Sequence, residues 1–191
     1  METGGGGLAL WFTGLPGSGK STLSEAVAEE LGRCDQRLVT LLDGDVVRRF
    51  LSHGAGFSRR DRHANVCRIG FAAGLIVRHQ GIAVVAAVSP YRDARAEARA
   101  LIEEAGGAYV EIHMDTPFAV CMARDPKGHY ARALHGDLDE FTGVDDPYEK
   151  PLAPDMRIPA AHIDVAGARN AVMRFLRERD LLLPAGQRRA P

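Results

Sequence analysis

Gly14-Leu15-Pro16-Gly17-Ser18-Gly19-Lys20-Ser21-Thr22 is the stretch that sets the fold class of this chain. It matches G-x-x-x-x-G-K-[ST]. Glycines at these spacings let successive backbone N–H groups turn inward around phosphate oxygens, and a helix starting at the lysine adds its positive N-terminal end. The lysine sets a point charge against the β- and γ-phosphates, and the Ser21 hydroxyl can ligate Mg²⁺. At this chain's own residue frequencies the pattern would arise by chance roughly 0.002 times. A nucleoside triphosphate is expected here, on a P-loop.

The flanks agree. Leu8 to Thr13 (LALWFT) reads as a strand feeding the loop, and Leu23, Val27 and Leu31 mark one face of a helix from Lys20 to about Leu31. Further strands are expected over 37–42, 82–88, 108–113 and, weakly, 161–165. Helices are expected over 46–53, from Ser58 as N-cap to about 80, over 93–105, over 116–123 with Asp115 as cap, and over 168–182. Short apolar strands alternating with helices predict an α/β fold, a parallel sheet with helices on both faces. From 124 to 159 the periodicity weakens and Pro, Gly and Asp accumulate, as in a lid segment. The chain therefore divides into a flexible tail at 1–7, one domain at 8–183 with its lid at about 124–159, and a frayed tail at 184–191.

Composition narrows the function. The 191 residues carry 24 basic and 25 acidic side chains, a net charge of -1, which argues against a nucleic-acid or membrane footprint. No apolar run approaches the about 18 residues that span a bilayer. The glycine-rich N-terminus lacks the parts of a signal peptide. Cys34, Cys67 and Cys121 fit neither a zinc pattern nor a disulfide framework, so three reduced thiols in a cytoplasmic protein are expected. The neutral total hides an uneven layout: 43–68 holds six arginines against three aspartates, and 135–164 eight acids against two bases. Lysine occurs only at 20, 127 and 150.

The second substrate should lie at the carboxyl edge of the sheet. Asp43-Gly44-Asp45 closes the second strand, and two carboxylates there can hold Mg²⁺ through water and accept a hydroxyl proton. A turn with one aspartate capping the next helix is the competing role. Arg48 lies one turn on. Arg62, Asn65 and Arg68 are spaced three apart, as on one helix face, and a guanidinium fork suits phosphate or sulfate oxygens. Ser89 follows the third strand within Ser89-Pro90-Tyr91-Arg92, with no base beside it in sequence. Arg124 and Lys127 open the lid in Arg-Asp-Pro-Lys-Gly, where a cation can close over a transferring phosphoryl group. Phe57 and Phe141, both in loops, can sandwich a purine. The GTPase tetrad N-K-x-D is absent.

Taken together, GLPGSGKST, LDGD, GFS followed by DR and N, SPYR, DTP, RDPKG and FTGVDDPYE resemble the adenylylsulfate kinase (APS kinase) family over about residues 8–149. The resemblance implies transfer of the MgATP γ-phosphoryl to the ribose 3′-hydroxyl of adenosine 5′-phosphosulfate, and a sheet ordered 2-3-1-4-5. It implies ATP binding by residues 14–22 and Arg124, and acceptor binding by Asp43, Asp45, Arg48, Phe57, Arg62, Asn65, Val88, Ser89, Lys127 and Phe141. Lys20, Asp45 (or Asp43 in its place as the base) and Ser89 would be catalytic, Ser89 as the family's phosphoserine, although in-line transfer needs no phosphoenzyme. Ser21 would carry the Mg²⁺. A homodimer and association with an ATP sulfurylase go with this resemblance. Departures fall at Val46 (usually Asn), Pro16 (often Ser), Arg59 and Arg60 (often acidic), and after Tyr130. A kinase of a sugar acid or natural product, and a non-catalytic nucleotide sensor, are the rival readings.

Overall fold

Residues 6–183 are described by a computed structural model. The expected tails at 1–5 and 184–191 lie outside the described residues. Gly7, placed in the N-terminal tail by sequence, is buried, and its carbonyl accepts from Ala108 N at 3.0 Å.

The strands are β1 (Leu8–Thr13), β2 (Val39–Asp43), β3 (Ile82–Ala86), β4 (Ala108–Met114) and β5 (Met156–Ile158). They form one parallel sheet in the order β2-β3-β1-β4-β5. The helices are α1 (Lys20–Cys34), α2 (Gly44–Leu51), α3 (Arg59–Arg78), α4 (Arg92–Glu104), α5 (Phe118–Arg124), α6 (His129–Leu134) and α7 (Val165–Glu178). Among the described residues no helix is long and apolar enough to cross a membrane.

The strand period of two splits the core between the faces. Leu8, Leu10 and Phe12 of β1 pack with Leu23, Val27 and Leu31 of α1 and Val172 and Leu176 of α7. Ala9 and Trp11 point the other way, to Ile69 and Val77 of α3 and Ala98 and Ile102 of α4. Because β1 is central and covered on both sides, it reads as an unbroken apolar run. α3 and α4 approach so closely that a Cβ on Gly70 would stand 2.8 Å from the Ala98 Cα.

Three further expectations need correction. The fifth strand is Met156–Ile158, paired with Ile112–Met114, rather than 161–165. A three-residue edge strand with Arg157 at its centre has too little periodicity to read. Residues 161–163 instead turn into α7, which Asp164 caps by accepting from Gly167 N at 2.8 Å. Asp115 does not cap α5, whose N-cap is Pro117; its carboxylate accepts from Lys150 Nζ at 3.0 Å. Finally, the segment expected to be irregular contains α6 and its own small core. There Cys121, Tyr130 and Phe141 pack with Leu15, and the Tyr130 and Phe141 rings meet edge-on at 4.9 Å.

Candidate active site

The P-loop and the carboxyl ends of β2 and β3 open on a cavity of about 1140 Å³, roofed by the segment after α5. Gly19 takes φ 97° at the N-cap of α1, a left-handed conformation that favours glycine, and no side chain caps that helix. Its first-turn N–H groups are left for a ligand. Lys20 Nζ folds back onto the loop, donating to Gly14 O at 3.0 Å, Leu15 O at 2.8 Å and Ser18 Oγ at 3.4 Å. Burial holds its ammonium down at about 8, opposed by the nearby Asp45 and Asp43 carboxylates. Pro16, Gly17, Gly19, Lys20, Ser21 and Thr22 line the cavity, while Gly14, Leu15 and Ser18 support it from below. Arg124 reaches over the loop to Gly17 O (3.4 Å) and Ala160 O (3.0 Å).

Asp43 and Asp45 occupy different environments. Asp43 Oδ1 accepts from Asp45 N at 2.9 Å and caps α2, while Oδ2 accepts from Ser21 Oγ at 2.9 Å. The capping role and the link to the P-loop therefore belong to one side chain. Asp45 is exposed and pairs with Lys127 from the lid. Among the described residues, Ser21 Oγ and Asp43 Oδ2 form a pair of hard oxygen donors beside the phosphate loop, a set that fits Mg²⁺ with water and phosphate completing its shell.

Across the cavity, Phe57 carries two guanidinium groups over its ring, Arg48 at 4.1 Å and Arg62 at 5.3 Å from the centroid. Arg48 also donates to Ala55 O at 2.9 Å and to Gly56 O, so its charge is held by the loop that presents Phe57. Arg62 donates to Phe57 O at 2.7 Å and to Glu140 O, tying this loop to the lid. Asn65 Oδ1 is buried in the cavity wall with no hydrogen-bond partner among the described residues, an acceptor left open. Phe141 lines the same cavity but is packed in the lid core, not exposed as expected, and its ring contacts are Tyr130 and His129. Arg68 does not join Arg62 and Asn65; it is exposed and donates to Ser52 Oγ at 3.2 Å. Three helical residues advance about 300°, so two such steps carry Arg68 about 120° away from Arg62.

Ser89 lies on the wall at φ 46°, and its hydroxyl accepts from Trp11 Nε1 at 3.1 Å. Val88 lines the cavity, and its carbonyl accepts from Thr13 Oγ1 at 2.7 Å. What sequence reasoning missed is the frame. Arg95, 4% exposed, binds Glu111 Oε1 (2.9 Å), Ser89 O (2.6 Å) and Glu149 O (2.8 Å), so it carries the Ser89 backbone. Arg92, which opens α4, donates from its backbone N to Glu149 Oε2 at 2.9 Å and from its Nε to Lys150 O at 2.9 Å. Ile163, Asp164 and Ala168 also line the cavity near the P-loop. No sequence signal marks them, since they arrive from the chain's far end.

A family model described as adenylylsulphate kinase matches residues 6–159. The adenylyl-sulfate kinase of Myxococcus xanthus (strain DK1622) is 49% identical over 176 residues, 92% of this chain and 94% of that protein. The Mycobacterium tuberculosis APS kinase, solved in complex with AMPPNP and APS, gives a TM-score of 0.86 at 37% identity, covering 90% of this chain and 98% of that one. A hexameric APS kinase from Thiobacillus denitrificans gives 0.72 at 38% identity, over 93% of this chain and 30% of that longer one.

Proposed function

The chain belongs to the adenylylsulphate kinase family, and from that premise we propose how its cavity performs the reaction. The protein transfers the γ-phosphoryl group of MgATP to the ribose 3′-hydroxyl of adenosine 5′-phosphosulfate, giving 3′-phosphoadenosine 5′-phosphosulfate and ADP, a step of sulfate activation. The observation that carries the acceptor side is Phe57, a flat ring flanked by Arg48 and Arg62 beside the open acceptor of Asn65. An aromatic face suits adenine, two cations suit a phosphosulfate, and Asn65 suits a polar edge or hydroxyl. A sugar acid would use the cations but not the ring.

ATP lies along residues 14–22, with Lys20 leaving its loop carbonyls for the β- and γ-phosphates and Arg124 over the loop. Ser21 and Asp43 would hold Mg²⁺, which when bound offsets charge on the phosphate oxygens. Asp45 is the base. Its partner among the described residues, Lys127, is a lid cation that anionic phosphates can draw away. The 3′-hydroxyl proton passes to Asp45 as its oxygen bonds to the γ-phosphorus, and the bond to the bridging oxygen of ADP breaks. Lys127, Arg48 and Arg62 offset the negative charge gathered around the transfer. Ser89 keeps its hydroxyl on Trp11 and shapes the wall with Val88; no phosphoserine is needed. Phe141 closes the far side from the lid.

The protein works in the cytoplasm as a homodimer, and an ATP sulfurylase beside it would deliver the acceptor directly. ADP release measured with adenosine 5′-phosphosulfate, AMP, adenosine and gluconate tests the assignment. Turnover only with the phosphosulfate, and product phosphorylated on the 3′-oxygen by ³¹P NMR, is the expected result. Faster ADP release with gluconate would replace it by a sugar-acid kinase.

A further inference from the structure

Between α3 and α4 three metal-ligating side chains meet, two of them four residues apart on α3 and the third from a distant segment. His63 and Cys67 stand one turn apart on α3, and Glu97 faces them from α4. His63 Nε2 lies 3.3 Å from Glu97 Oε2, and His63 Nδ1 lies 3.9 Å from Cys67 Sγ. One donor atom from each residue can be chosen so that all three lie within 4.8 Å of one another.

We propose that His63, Cys67 and Glu97 form a binding site for a borderline-soft divalent cation such as Zn²⁺, separate from the Mg²⁺ of the reaction. Zinc bonds of about 2.0–2.3 Å in a tetrahedron put donor atoms roughly 3.3–3.8 Å apart, so side-chain rotations that present one ring nitrogen of His63 to both neighbours would draw the set in from its 4.8 Å spread. A sulfur, an imidazole and a single carboxylate favour Zn²⁺ over Mg²⁺, which wants oxygen ligands in octahedral array. His63 and Cys67 are half-buried and Glu97 is exposed, so an ion enters from solvent and a water fills the fourth position. The Cys67 thiol proton passes to solvent as sulfur binds the ion. The bound ion would clamp α3 to α4 directly behind Arg62 and Asn65, which belong to the same turns of α3. The competing account of the same distances is an ion pair of protonated His63 with Glu97, with Cys67 only packed beside it.

Titration of the purified, reduced full chain with Co²⁺ decides between them. A thiolate-to-cobalt charge-transfer band is expected, saturating at one ion per chain, abolished by Zn²⁺ and untouched by excess Mg²⁺. Cys67→Ser should remove the band, Glu97→Gln should weaken binding by about tenfold or more, and Cys34→Ser should leave both unchanged. If Cys67→Ser does not fold, His63→Gln reads the same loss. No band in the unaltered chain, or a band that survives in Cys67→Ser or His63→Gln, overturns the site and leaves the ion pair.

Discussion

Asp43 and Asp45 sit two residues apart, and their surroundings separate their roles. Asp43 is committed to Ser21 and the first turn of α2, whereas Asp45 is exposed and, among the described residues, pairs with Lys127 from the lid. Asp45→Ala is therefore expected to lower turnover by about 10²–10⁴-fold while the ATP dissociation constant stays within about twofold, measured by steady-state kinetics and calorimetry. Near-normal turnover would remove Asp45 from the base role. Lys20 makes a prediction in pH. In the ligand-free protein its ammonium is held down at about 8 by burial, against 10.5 for a free side chain. A triphosphate needs the charged form, so ATP affinity should be flat below pH 8 and fall about tenfold per unit above it. A Lys20→Arg variant should lack that fall, because guanidinium stays charged throughout. The same shift acts on folding. Between pH 8 and 10.5 the unfolded chain binds the extra proton, so the ligand-free fold gains stability as pH rises through that window.

At the scale of elements, legibility followed length and burial. α1 and α3 are long, and their buried residues recur with the helical period, so both were readable within a few residues of their ends. Ser58 caps α3 as expected, accepting from Asp61 N at 3.2 Å. β5 and the true caps of α5 and α7 were not readable, because three residues on a sheet edge and a turn around Asp164 depend on what they pack against. The order of the lid is hidden in the sequence for a related reason: α6 is six residues long and is held by Tyr130, whose ring meets Phe141 and whose hydroxyl donates to Pro16 O at 2.9 Å. α3 has the most consequence for the site, since it presents Arg62 and Asn65. Ile69, fully buried one turn beyond Asn65, anchors it against β1 and α4. Ile69→Ala should cost about 2–5 kcal/mol in urea unfolding. It should also raise KM for the phosphosulfate more than KM for ATP, because the P-loop rests on the opposite face.

For the whole molecule, the near-neutral charge conceals a cationic stretch at 43–68 and an acidic one at 135–164, and folding sets the cationic stretch against the cavity while Arg62 reaches the acidic lid through Glu140 and Asp146. Assembly belongs to this scale as well. Phe71 and Leu75 on α3 and Phe50 on the adjoining α2 are exposed at 61%, 43% and 78%. For the proposed homodimer, sedimentation should give about 41 kDa, twice the 20.6 kDa chain, and Phe71→Glu should weaken association about tenfold or more. A single 20.6 kDa species in the unaltered protein would exclude the dimer. Phosphate binding could be read from nine consecutive residues because a P-loop is a local backbone conformation, set by its own glycines and the helix that follows. The proposed acceptor site could be listed by residue but not built, since Asp45, Phe57, Asn65, Lys127 and Phe141 come to one cavity only where the parallel sheet and the lid core bring them. That Asp45 rests on Lys127, that Arg95 carries Ser89, and that Glu97 comes within 3.3 Å of His63 are facts of packing between distant segments. No spacing along the chain encodes them.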